Sequence, residues 1–212
     1  IQSRKNGLML PEGYWAQNRP EELTVEDYVN SRWINKPTNL FDNDIPIHSS
    51  SAYLFTTAER AKDMKQKPVY VLNHVSARGH PDYRPGAMGD YGPSSLEAVE
   101  AGAALTGKRL VDGAGITADD ISFENMFDGF SVFHVFHIEG LGIYGLKQGE
   151  ALDLFQEDIS PEGRYPINPS GGDIGGGRNR CWMFTDCIQQ IQGRAGPRQI
   201  KRRKADIGVA GA

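Results

Sequence analysis

Apolar positions fall at helical spacing in one early stretch, Leu23, Val25, Tyr28, Val29, Trp33 and Ile34, with Thr24 placed to cap it ahead of Glu26 and Asp27 and Pro37 to end it. Residues 1–22 show no such period and are punctuated by Pro11, Gly13 and Pro20, so a loop is expected there. The apolar run 52–56 reads as a short buried strand, with a helix beginning at Thr57 or Ala58. In "KPVYVLNHVSAR", Val69, Val71 and Val75 alternate with other residues, the period of a strand. Residues 78–93 form a Gly/Pro-rich connection of a length that often carries function. A helix follows, with Ser94 or Ser95 as N-cap and Glu97 in its first turn. Thr117 and the three residues after it start a further helical turn, and a short strand is expected over 121–124. The next helix is apolar and stops at Gly140 or Gly142, a glycine suited to the left-handed residue after a helix. A helix over about 180–193, a turn and a final strand complete the pattern. Helices alternating with strands predict an α/β fold, a sheet with helices on its faces, and no repeat of 20–50 residues interrupts it.

Composition narrows the class. The chain has 212 residues, enough for one large domain or one and a half. With 39% hydrophobic and 24% charged residues it is globular rather than disordered, and its net charge of −4 argues against a general nucleic-acid binder. No apolar run approaches the ~18 residues of a membrane span, so no membrane insertion is expected. The start lacks the pattern of a secretory leader. Cys181 and Cys187, six residues apart on one helix, point to different faces, which implies a reducing, cytoplasmic protein without a disulfide. The polar start and the strand-like end "KADIGVAGA" suggest a piece of a longer polypeptide.

The candidate chemistry centres on "YPINPSGGDIGGGRNRCWMF", residues 165–184. Glycine costs roughly 0.5–1 kcal/mol relative to alanine inside a regular element, so serial glycines serve a tight path or a close approach. Two readings stand side by side: a turn that needs positive φ, and a set of backbone N–H groups that meets an anion or oxyanion at a helix start. A nucleotide-binding loop fits less well, because no Gly-Lys-Ser/Thr follows. Arg178 is a candidate electrostatic contact to a thioester oxygen, carboxylate or phosphate, or a solvated arginine at a helix start. Asp128 reads as an N-cap, or as a site residue that orients a neighbour or takes a proton. His134 and His137 share a helix face; no cysteine or carboxylate cluster joins them, so core histidines are favoured over a metal pair, and either is an acid–base candidate if it titrates near neutrality. His74 and His80 carry less weight, and "KRRK", 201–204, is a phosphate patch or a solvated turn.

Four segments in order, "SSSAYLFTTAERA", "FENMFDGFSVFHVFHIEGLG", "INPSGGDIGGGRNR" and "QIQGRAGPRQI", resemble the thiolase superfamily over roughly 23–212. "FDGFS" and "GRAGPRQI" resemble its lipid-transfer-protein and sterol-carrier-protein branch, which includes acyl-CoA retro-aldolases of steroid side-chain breakdown. The resemblance implies a fold layered α-β-α-β-α: residues 1–66 would end the N-terminal half, with a loop segment, and 67–212 would form the C-terminal thiolase-like domain, truncated at its last strands. The family's nucleophilic cysteine would lie upstream of residue 1, and neither cysteine here matches it. Aligned to the family's His-Asp-x-Phe and Gly-Gly-His-Pro motifs, Phe127 and Arg178 take the histidine positions and Asn179 that of the proline. Phenylalanine relays no proton, and arginine, with a pKa above ~12, is a poor shuttle. The resemblance therefore implies an acyl-CoA enzyme that forms or cleaves a C–C bond, of aldolase rather than Claisen type. A non-catalytic acyl-CoA- or lipid-binding subunit is the alternative. Arg178, Asp128 and Gly172 would be catalytic, and Phe127, Phe130, Gly171, Asn179 and Tyr165 would bind substrate. Related retro-aldolases use tyrosine, but Tyr144 and Tyr165 fall outside the motif positions. The residues Cys181, Trp182, Met183 and Phe184 replace usually small ones and would reshape the acyl pocket. No metal and no tightly bound cofactor are expected, with coenzyme A entering as thioester substrate or product. A homodimer and a small zinc-ribbon/OB-fold partner are further implications.

Overall fold

A computed structural model of the chain describes residues 1–75 and 96–211. The expected connection 78–93, the caps at Ser94 and Ser95, and His80 lie outside these residues. In the described part, the N-terminal region carries helices α1 (Gln2–Gly7), α2 (Tyr14–Asn18) and α3 (Val25–Val29), the antiparallel strands β1 (Trp33–Asn35) and β2 (Thr38–Asn39), and helix α4 (Ala58–Ala61). Then come α5 (Leu96–Ala114), β3 (Phe123–Met126), α6 (Ser131–Leu141), α7 (Ala151–Leu154), α8 (Gly172–Gly176), α9 (Arg180–Gln192) and β4 (Gly208–Gly211).

Strands β3 and β4 pair in parallel, Phe123 opposite Gly208 through Met126 opposite Gly211. Side chains alternate across this sheet as a strand requires. Phe123 and Ala210 face α9 and meet Cys187 and Ile200, whereas Val209 and Met126 face a larger core with Ile138, Leu141, Ile143 and Ile167. Each fully buried side chain of this kind contributes about 1.5–3 kcal/mol. Gly208 is small for a reason: a Cβ there would lie 2.4 Å from the Phe123 ring and 2.6 Å from the Cys187 sulfur. Helix α6 turns His134, Ile138 and Leu141 inward at i, i+4, i+7, and α5 crosses behind it at Gly140, where a Cβ would meet the Ala103 main chain at 2.4 Å. The layers run α5 and α6, sheet, α9.

Several sequence expectations hold. Thr24 closes a capping box with Asp27, and Thr57 caps α4. Thr117 opens a 3-10 turn over Ala118–Asp120, its N–H and hydroxyl donating to the Asp120 carboxylate, and Gly142, at φ 66°, ends α6 in the left-handed region. Others do not. The loop expected over 1–22 contains α1 and α2. Helices this short are marginal alone and form where tertiary contacts hold them. Here Asn6 donates to the carbonyls of Ile159, Ile167 and Asn168, and Gln2 to those of Phe155 and Glu157. The helix expected over 23–34 stops at Val29, and Trp33 begins a hairpin. No strand forms over 52–56 or over 69–75: Leu54 and Phe55 are 77% and 80% exposed, Val71 is 71% exposed, and no described strand pairs with either segment. Alternating apolar residues make a strand only where a neighbouring strand accepts their main-chain bonds. The first of these segments lies along α9, where Tyr53 donates to the Cys181 carbonyl.

Among the described residues, no helix is long and apolar enough to cross a membrane, and both cysteines are free. The basic run 201–204 is a largely solvated turn, as one of its two readings held, and its charges make surface pairs and one ring contact. Lys201 pairs with Glu162, Arg203 lies over the Tyr144 ring, and Lys204 pairs with Asp206.

Candidate active site

Three turns converge at one end of the sheet. One leads from β3 into α6 (127–130), the second is the glycine-rich turn around α8, and the third is the segment 43–46 from the N-terminal region. This third segment joins the other two by main-chain bonds. Asp44 N–H donates to the Gly129 carbonyl at 2.9 Å, Arg178 N–H donates to the Ile45 carbonyl at 2.7 Å, and bridges link Asn43 to Phe130 and Pro46 to Arg178.

The glycines serve close approach first. A Cβ on Gly175 would lie 2.2 Å from the Ser3 carbonyl oxygen, and one on Gly171 would lie 2.4 Å from Gly7 Cα, so α1 and α8 cross backbone to backbone. Gly171 and Gly172 also take positive φ, 91° and 61°. Most N–H groups of the turn are satisfied within the protein. Gly171 donates to the Asn168 carbonyl, Gly175 to that of Gly171 and Gly177 to that of Asp173, while Asp173 and Ile174 donate to Asp128. Among the described residues the Gly172 N–H has no acceptor.

Asp128 does not cap its own helix. Phe130 occupies the N-cap position of α6 and makes no side-chain cap bond. Instead Asp128 Oδ1 accepts the N–H groups of Asp173 (2.6 Å) and Ile174 (3.2 Å) and caps α8 across the fold. Its Oδ2 is buried without a partner, against Gly172. Burial pushes the Asp128 pKa up to about 7; the neighbouring Asp173 charge adds to this, and His134 and the two N–H donors oppose it. Asp173 is raised to about 6 by burial, with Asp44 adding and the Asn179 N–H opposing.

Arg178 makes a bidentate pair with Asp44: Nε donates to Oδ2 at 2.7 Å and Nη2 to Oδ1. The Arg178 side chain is 43% exposed and that of Asp44 1%, so the carboxylate is the buried partner. Asp44's hydrogen bond holds the Arg178 pKa above its usual value. Arg180 lies over the Phe127 ring, 4.9 Å from its centroid. Asn179 precedes α9 and donates its N–H to Asp173 Oδ1 at 3.0 Å. Phe130 is 38% exposed and packs edge-on against Phe133.

Behind the turn, His134 Nε2 lies 3.0 Å from Glu124 Oε1 in full burial. Burial opposes the imidazolium, but attraction to Glu124 and the hydrogen bond donated to its carboxylate, with Asp128 beyond, leave the His134 pKa above its usual value. His137 contacts the Phe127 carbonyl at 3.2 Å, and burial together with the His134 charge lowers its pKa. Among the described residues, no cluster of His, Cys, Asp or Glu is arranged to hold a metal ion. Tyr165 packs at a tilt against Tyr144, whose hydroxyl donates to the carbonyls of Ser122 and Pro166. Burial raises the Cys187 thiol to about 12, which leaves it inert.

Arg178, Asp128, Gly172, Gly171, Asn179, Phe127 and Phe130 thus gather at the three turns, while Tyr165 sits with Tyr144 in the core behind them. Sequence reading missed Asp44, Asp173 and Glu124. "FDND" carries no motif, and their importance arises from partners 134, 45 and 10 residues away. A separate groove of ≈ 270 Å³ lies between α5 and α6, lined by Glu97, Glu100, Ala104, Phe136, Glu139 and Gln148.

The family described as "Thiolase C-terminal domain-like" matches residues 94–212. The "17-hydroxy-3-oxo-4-pregnene-20-carboxyl-CoA lyase" of Mycobacterium tuberculosis is 33% identical over 82% of this chain and 43% of its own length. The "Steroid side-chain-cleaving aldolase" of Thermomonospora curvata is 29% identical over 82% of this chain and 43% of its own. The chain therefore spans less than half the length of these relatives. Among solved structures, an "Ltp2-ChsH2(DUF35) aldolase" superposes with a TM-score of 0.75 at 24% identity, covering 92% of this chain and 49% of that one, and shares the fold.

Proposed function

The chain belongs to the thiolase C-terminal domain-like family, and from that premise we propose that it acts in an acyl-CoA enzyme that cleaves or forms a carbon–carbon bond by aldol chemistry. The observation that carries this reading is the likeness to a carboxyl-CoA lyase and a steroid side-chain-cleaving aldolase over four-fifths of the chain. The site supports it in two ways. Phe127 and Arg178 supply no group that titrates near neutrality, as a Claisen proton transfer would need at these positions. What the turns do offer is positive charge at Arg178 and a free N–H at Gly172, which suit a thioester oxygen that gains charge.

The reaction proposed is retro-aldol cleavage of a β-hydroxyacyl-CoA. A base removes the hydroxyl proton, the Cα–Cβ bond breaks as the C=O of the leaving ketone or aldehyde forms, and the electron pair passes to Cα as a thioester enolate. That enolate takes up one proton and becomes the shortened acyl-CoA. Arg178 and the Gly172 N–H stabilise the enolate oxygen. Asp128, with a pKa pushed to about 7, holds the glycine-rich turn in place and is the titrating carboxyl nearest Gly172. Phe127, Phe130, Gly171 and Asn179 line the approach of the acyl chain. A homodimer, a small partner protein of zinc-ribbon/OB-fold type and a cytoplasmic location belong to the same proposal. A second reading, a non-catalytic subunit that binds acyl-CoA or lipid, is favoured by one observation: Arg178 is already paired with Asp44.

The test is to incubate the complete polypeptide that carries this chain with a tertiary β-hydroxyacyl-CoA and, separately, with a 3-oxoacyl-CoA plus coenzyme A. Release of ketone and shortened acyl-CoA from the first substrate supports the proposal. Thiolysis of the second alone contradicts it, and binding of both without turnover favours the second reading.

A further inference from the structure

Asp44 lies outside residues 94–212 and in no motif, yet it is the one described side chain that fixes the Arg178 guanidinium by hydrogen bonds. Arg178 is held at both ends. Its main-chain N–H donates to Ile45, and its Nε and Nη2 donate to the two oxygens of Asp44. Asp44 is itself fixed, because its N–H donates to Gly129 and its side chain is 1% exposed. Gly129 leaves room for this arrangement: a Cβ there would lie 2.6 Å from Asp44 Oδ2. Of the five N–H donors of a guanidinium, two face Asp44, and the rest lie on the edge away from it.

We infer that Asp44 is a positioning residue for Arg178: it orients the free edge of the guanidinium toward the ligand and offsets part of its charge in advance. A pair of this kind, its guanidinium edge fixed and its charge partly offset, favours an uncharged thioester, whose oxygen gains charge only during reaction, over a free carboxylate that would meet Asp44 as a like charge. The first half of this inference, the fixed geometry, stands on the hydrogen bonds alone; the second rests on the acyl-CoA reading above.

Two readouts in the complete polypeptide separate them. Arginine-selective ¹⁵N labelling follows the Arg178 Nε–H signal, identified by its loss in Arg178→Lys. We expect a slowly exchanging signal in the wild type, retained in Asp44→Glu, weakened in Asp44→Asn and lost to solvent exchange in Asp44→Ala. A signal equally protected in Asp44→Asn and the wild type overturns the positioning role, and the isosteric Asn keeps this readable if the Ala variant fails to fold. With β-hydroxyacyl-CoA, Asp44→Asn is expected to lower kcat by about tenfold or more with KM within about twofold, the pattern of an interaction made in the transition state. The same substitution should tighten inhibition by a free carboxylic acid of the same chain. Undiminished kcat with a folded Asn variant overturns the functional half. If the wild type has no turnover, the reaction proposal alone fails, and the Nε–H signal still decides whether Asp44 fixes Arg178.

Discussion

In residues 96–211, apolar side chains at helical and strand spacing meet across a parallel sheet, Phe123 against Cys187 on one face and Val209 against Ile138 on the other. In residues 1–75 the short elements are held differently. Asn6 and Gln2 donate to main-chain carbonyls some 150 residues away, and Gly7 lets α1 cross α8 at backbone distance. The difference teaches where the candidate site comes from. The layered region supplies Asp128, Gly172 and Arg178, but the third turn, with Asp44, comes from the region whose structure depends on tertiary contacts.

The contrast breaks most sharply at the helix crossing. Gly175→Val would drive a side chain into the Ser3 carbonyl, 2.2 Å from the Cβ position. Backbone on both sides leaves nothing to repack, so the cost should exceed the ~1–3 kcal/mol of ordinary overpacking. Little folded protein is expected by circular dichroism; a normal unfolding transition would show that the crossing is not needed.

Next in size is His134→Ala, which takes the ion-pair partner from the fully buried Glu124 and leaves it the Met126 N–H. Denaturant unfolding should show a loss of about 3–5 kcal/mol, and a loss under about 1 kcal/mol would mean that Glu124 takes up a proton or another donor.

The pH dependence is a third expectation. Asp128 and Asp173 are raised from 3.8 to about 7 and about 6, and His134 is also raised, so the folded state holds these protons more tightly than the unfolded chain. The stabilisation from the two carboxyls is complete below about pH 4 and is lost as pH rises through about 7; that from His134 is lost as pH rises through its own raised value, and His137, which is lowered, opposes it in part near its own titration. The melting temperature should therefore be higher at pH 5.5 than at pH 8, with a flatter profile in Asp128→Asn. A rise toward pH 8 would contradict the burial of these carboxyls.

The smallest effect sharpens the comparison from the other side. Gly102, inside α5, has no described neighbour within 4 Å of where a Cβ would stand, so Gly102→Ala should stabilise by about 0.5–1 kcal/mol in the same assay. Destabilisation would mean that the α5 surface is packed.

These particulars explain what was legible in the chain. Helices α5, α6 and α9 and the β3 strand follow from periodicity and caps, because local preference and core packing agree there. The strand expected over 69–75 has the right alternation and that over 52–56 an apolar run, but neither has a neighbouring strand in the described residues, and pattern alone does not make a strand. Helix α1 and the pairing of Arg178 with Asp44 were invisible for the opposite reason. They are made by contacts between residues far apart, with no period or motif to mark them. Asp128 was found as a residue but not in its role, since it caps α8 rather than the helix that follows it.

The most direct measurement is turnover of a tertiary β-hydroxyacyl-CoA by the complete polypeptide with and without Arg178→Ala. The account predicts aldol cleavage in the wild type and a kcat lower by about 10²-fold in the variant, the size of a lost oxyanion contact, with the fold intact by circular dichroism. Equal cleavage by both proteins would contradict it.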